Sequence, residues 1–92
     1  MHIYLLEIEF QLPGSRSLKE KRQRLAGVKD KVGRQPSVAV IEAAKQDVPD
    51  QAVWALTLMA GSRSGIDQLL AGVEEQLLLI DGYISQRQLQ QL

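Results

Sequence analysis

Residues 2–25 read HIYLLEIEFQLPGSRSLKEKRQRL, and the change of period inside this stretch decides the fold. Up to Leu12 the chain alternates, with Tyr4, Leu6, Ile8, Phe10 and Leu12 on one side and Glu7, Glu9 and Gln11 on the other. A period of two over this length is that of a strand with one face in a core. Pro13-Gly14 then turns the chain. Beyond it the period becomes helical, with Leu18, Leu25, Val28 and Val32 in one stripe. Ser17 stands three residues before Glu20, the spacing of a capping box, so the helix should begin at Leu18. Gly33 is expected to end it at a left-handed cap position.

The rest of the chain repeats this plan. Ser37 to Ala44 reads as a second strand, Val48-Pro49-Asp50 as a loop, and Ala52 to Ala60 as a third strand with Trp54, Leu56 and Leu58 on one face. The tetrapeptide Gly14–Ser17 recurs as Gly61–Ser64. There Ser64 precedes Asp67 by three, and Ile66, Leu69, Leu70, Val73, Leu77 and Ile80 mark a second helical stripe. Gly82 breaks that helix, and Tyr83 to Leu89 can form a last strand before a glutamine-rich end that is expected to fray. The order βαββαβ predicts one α+β domain over residues 1–92. It is a ferredoxin-like sandwich, a four-stranded antiparallel sheet with two helices on one face. In this topology the two repeated turns lie at opposite ends of the sheet and cannot share a ligand. Each is explained by cap chemistry. Gly14, Ser15 and Ser17, with a basic helix behind them, are the candidate anion loop.

Composition excludes several kinds of chemistry. There is no cysteine and a single histidine, His2, so thiolate nucleophiles, disulfides and His/Cys metal clusters are ruled out. Glu7 and Glu9 could pair as acid and base in principle, but two acids on one strand face are more simply a solvated surface. No glycine-rich phosphate loop is present. The expectation is a protein that is not an enzyme and uses no metal or cofactor. No apolar run, Leu77–Ile80 included, comes near the length of a membrane span, and the first residues lack the basic start of a signal peptide. A cytoplasmic, soluble protein without a membrane partner is expected.

Charge is uneven although the total is zero. Residues 16–34 hold eight basic groups against Glu20 and Asp30, a net +6, and the remainder carries −6. Such asymmetry points to an anionic partner, unless the helix is merely solvated. Projected at about 100° per residue, the apolar stripe of the first helix centres about 315° from Leu18, and Lys21 falls inside it at about 300°. An ammonium there needs a partner or a route to water. If Val38 and Val40 face inward, Glu42 follows them and can meet Lys21 at the rim of the core. If Ala39, Ile41 and Ala43 face inward, Lys21 snorkels past the sheet edge. Lys19, Arg24 and Lys31 point away from the stripe and, with Arg16 and Arg22, form the candidate nucleic-acid-binding set. On the uncovered sheet face Ile3, Leu5, Val53 and Met59 form a candidate dimer face. Tyr4, Phe10 and Trp54 are assigned inward, so the sheet is not a platform for stacking bases.

The stretch Leu12-Pro13-Gly14-Ser15 followed by Ser17-Leu18-Lys19-Glu20-Lys21-Arg22 resembles the signature of the YlxP-like family (domain of unknown function 503), small bacterial proteins of uncharacterised function. Glu42 and Gln46-Asp47 are similar to that family's Ala-Glu and Gln-Asp positions. This chain departs from the pattern before its second strand and at Val48-Pro49. The resemblance implies a ferredoxin-like fold, no known enzymatic activity, and a link to translation through neighbouring genes for initiation and ribosome maturation factors. With the resemblance, two functional readings lead: a non-catalytic binding module that lays its basic helix on RNA or a ribosomal surface, or a structural homodimer through the open sheet face. A small-ligand enzyme in a dimeric barrel lacks a convergent catalytic set.

Overall fold

In the computed structural model, which describes residues 1–92, β1 (His2–Gln11) sends Tyr4, Leu6, Ile8 and Phe10 into the core. The other elements are α1 (Leu18–Gly33), β2 (Val38–Ala44), β3 (Gln51–Ala60), α2 (Arg63–Leu77) and β4 (Tyr83–Gln91). The sheet order is β2-β3-β1-β4 with every neighbouring pair antiparallel. This is the ferredoxin-like topology that the element order predicts. No helix is long and apolar enough to cross a membrane. Trp54, Leu56 and Leu58 of β3 face the core beside Leu25 and Val32 of α1 and Ile66, Val73 and Leu77 of α2. Phe10 meets Trp54 edge to face, ring centroids 4.9 Å apart.

The turn into α1 is built by its two named residues. Ser15 N donates to Leu12 O at 3.1 Å, and Gly14, after Pro13, takes φ +82. Proline followed by a residue with positive φ is the recipe of a type II turn, and glycine meets it without strain. Ser17 then caps α1 by accepting from Glu20 N at 3.1 Å.

Four local expectations need correction. Gly33 belongs to the helix, and Arg34, with φ −78, is its cap. A Cβ at 33 would lie 3.1 Å from Val40 Cγ1, a tight approach where α1 closes on β2. The cap of α2 is Ser62, which accepts from Gly65 N at 3.0 Å, so the helix starts before Ser64. Asp67 is drawn off by tertiary contacts, since it accepts from the Tyr4 hydroxyl at 3.0 Å. That hydrogen bond to a carboxylate, with burial adding to it, raises the Tyr4 phenol above its usual pKa. Finally, the glutamine-rich end does not fray: β4 pairs with β1 as far as Gln91, and Leu92 N donates to Ile3 O at 2.9 Å.

Candidate functional site

Lys21 is 2% exposed, and its ammonium is the centre of the best-defined polar site in the molecule. Nζ lies 2.7 Å from Glu42 Oε1 and donates to the carbonyls of Lys45 at 2.8 Å and Val48 at 3.0 Å. Those contacts match the three donors of an ammonium. Val38 is buried and Val40 and Glu42 half-buried on the inward face of β2, while Ala39 and Ile41 are exposed, so of the two registers the first is adopted. A bulge follows Glu42, and Lys45 takes φ +59, which wraps the loop over Lys21. The ammonium thus does for this loop what a bound cation would do.

Lys45 sends its own side chain to the opposite face of the sheet. There its Nζ donates to Glu9 Oε2 and Gln51 Oε1, each at 2.8 Å. Hydrogen bonds from Lys45 and Ser85 hold the Glu9 carboxyl below its usual range.

The basic groups of residues 16–34 fall into two sets. Lys21 is spent on the loop, Arg34 on Asp30 at 2.8 Å, and Arg24 on two turns. Arg24 was expected to point outward, and it does not. Its Nη1 donates to Pro13 O at 2.7 Å and Nε stands 3.7 Å from Asp81, leaving its side chain 22% exposed. At about 75° from the centre of the stripe a guanidinium is long enough to bend back over the helix flank. Arg24 is a structural residue that ties the Pro13-Gly14 turn to the segment before β4.

The second set has no carboxylate partner: Arg16, Lys19, Arg22, Lys29 and Lys31. Arg16, Lys19 and Arg22 gather around the first turn, exposed, and Lys31 lies about 18 Å further along the axis. Lys29, half-buried beside the apolar stripe, joins this set. The anion loop fares differently. Glu20 Oε2 accepts from Arg16 N at 2.8 Å while Ser17 accepts from Glu20 N, so the protein's own groups take donors that an anion would need. Ser15 is buried, and Gly14–Ser17 is a cap and a turn.

On the uncovered face Ile3 pairs with Met59, Leu5 with Thr57 and Glu9 with Val53. Ile3, Leu5 and Val53 are half-buried and Met59 is 44% exposed. Ile41 of β2, 62% exposed beside Ala55, extends this apolar area.

The fold and this site define an α+β sandwich with a cation-rich helix and an ammonium-locked loop. Solved structures with the same fold include protein YJCS from structural genomics, with TM-score 0.65, 2% identity and 98% of each chain covered. The de novo designed LFR1 1, described as having a ferredoxin fold, gives TM-score 0.55 at 11% identity over 100% of this chain and 84% of that one. No curated protein matches the chain. The chain belongs to the family described as "Protein of unknown function (DUF503)", whose profile matches residues 3–80.

Proposed function

We propose that this protein is a non-catalytic binding module that holds the phosphate backbone of RNA, in a ribosomal or translational setting, through the exposed cations of α1. The observation that carries this reading is the unpaired state of Arg16, Lys19, Arg22 and Lys31 beside a neighbouring set already neutralised by internal partners. A cation kept at the surface without a carboxylate is free to displace counterions from a polyanion. The −6 remainder of the chain repels the same polyanion and orients it on α1. The resemblance of residues 12–22 to the YlxP-like proteins supports the translational setting. A tagged protein recovered from native lysate should carry ribosomal RNA, and nuclease treatment should strip it. Recovery free of RNA, at low salt and without nuclease, would count against the reading.

A second reading concerns assembly, and the part-exposed apolar area of Ile3, Leu5, Val53, Met59 and Ile41 favours it. A second copy laid face to face would take this area out of water. Light scattering at micromolar concentration should then give twice the chain mass, and Leu5→Lys should return it to one. A monomer at every concentration tested removes this reading and leaves the first intact.

A further inference from the structure

The sheet has two edges, β2 and β4, and only one of them is blunted. β2 is the shorter strand and is bulged after Glu42, where Lys45 turns the chain away. Short strands and bulges keep an edge from pairing. β4 has its own bulge at Ser85, but from Gln86 to Gln91 it runs in register along β1. That stretch holds no proline, glycine, lysine or carboxylate. Its one charge, Arg87, is paired with Glu74 of α2. Unpaired backbone along such a strand is a template for another strand.

Which groups face outward follows from the register. Leu92 N donates to Ile3 O at 2.9 Å, and backbone groups along an antiparallel strand alternate in direction. Gln90, Gln88 and Gln86 therefore bond to β1, and the N–H and C=O of Arg87, Leu89 and Gln91 point out of the sheet. Side chains alternate between faces as well. Leu89, opposite Leu6, lies on the helix side, and Gln86, Gln88 and Gln90 lie on the open side. α2 packs on β3 and β1, and Ile84 and Leu89 of β4 are left half-buried.

We propose that two copies of this chain join edge to edge through β4, antiparallel about a two-fold axis at Leu89, and so form one continuous sheet. A two-fold pairing must set outward-pointing residues opposite one another, so it can centre on Arg87, Gln88 or Leu89. Centred on Arg87 it opposes like charges, and centred on Gln88 it sets each Arg87 against a leucine. Centred on Leu89, the two leucines meet on the helix side and leave water together. Arg87 then faces Gln91 of the other copy, and Gln88 faces Gln90 on the open side, where each amide both donates and accepts. The outward groups of Arg87, Leu89 and Gln91 all find mates. Growth stops at two copies, because the edges that remain are both the bulged β2. An extended peptide could use the same backbone groups, but a second copy satisfies two unpaired edges at once. The edge and the open face are separate surfaces, so the inference stands without either reading above.

The chain has no cysteine, so one introduced thiol reports the seam directly. Directly opposed residues of a hydrogen-bonded antiparallel pair have Cα atoms about 5.5 Å apart, within reach of a disulfide. Leu89→Cys should therefore oxidise to a disulfide-linked dimer at micromolar concentration. Light scattering of the parent protein should give twice the chain mass. Leu5→Lys, on the open face, should leave that mass unchanged, the opposite of its effect on a face-to-face dimer. Leu89→Pro removes an outward N–H without touching the ladder to β1, and should weaken association roughly tenfold or more. Gln91→Pro removes another outward N–H near the end of the strand, and takes its place if circular dichroism shows Leu89→Pro to be unfolded. The proposal is overturned if the parent is a monomer throughout the micromolar range, whatever else it binds. It is equally overturned if a folded proline variant associates like the parent, if Leu5→Lys alone abolishes the dimer, or if Leu89→Cys fails to cross-link.

Discussion

Replacing Lys21 with methionine should lower stability by about 3 kcal/mol, the low end of what breaking a buried ion pair costs. The ammonium is almost fully enclosed, and its loss strips donors from the Lys45 and Val48 carbonyls as well as the counter-charge from Glu42. Glu42 keeps a quarter of its side chain in water and can rehydrate, which holds the figure at the low end. Glu42→Gln should cost less, about 1–2 kcal/mol, because the ammonium retains its two carbonyls. In the double variant the losses should fall short of their sum by about 1 kcal/mol, the mark of a direct interaction. Chemical denaturation of the four proteins gives the cycle, and strict additivity would mean that Glu42 contributes nothing to holding Lys21. At roughly 4–8 °C per kcal/mol for a domain of this size, the Lys21→Met melting point should drop by more than about 10 °C.

The second large effect is on binding. Arg16→Glu/Lys19→Glu/Lys31→Glu should weaken RNA affinity on the order of a hundredfold or more at low salt, about 1 kcal/mol for each lost phosphate contact. These three side chains are exposed and make no ion pair, so circular dichroism and melting should be close to those of the parent. Arg24 is left out because its guanidinium holds Pro13 and Asp81, and its loss would confound folding with binding. Equal affinity of variant and parent would transfer the binding site elsewhere.

The fold was legible wherever one period ruled an element. β1 alternates cleanly, α1 has a stripe and a cap, and β3 repeats the alternation, which is enough to name the topology. Sequence reasoning failed where a distant partner decided the outcome. Gln86, Gln88 and Gln90 carry no apolar period, and β4 reaches Gln91 because β1 offers it a full-length antiparallel edge. Ser64 and Asp67 have the spacing of a capping box, yet Ser62 wins because Gly65 leaves room: a Cβ there would fall 2.9 Å from the Ser62 Oγ.

The site divides in the same way. Lys21 on an apolar stripe is a visible anomaly, and Glu42 is the nearest acid that the strand alternation can supply. The carbonyls of Lys45 and Val48 are invisible in a sequence, since every residue has a carbonyl and only the bulge and the turn aim these two. Arg24 was misread because a helical projection gives the direction of Cβ, not the end of a side chain that bends back over a flank.

The claim that α1 binds a phosphate backbone is tested most directly by the salt dependence of affinity for single-stranded ribosomal RNA fragments. Each neutralised phosphate on a single strand contributes about −0.7 to the log–log slope. Four contacts, from Arg16, Lys19, Arg22 and Lys31, give a slope of roughly −3, a loss of roughly fiftyfold between 50 and 200 mM salt. The triple charge reversal should flatten that slope to about −0.7. A wild-type slope near zero, or no binding at low salt, would contradict the account.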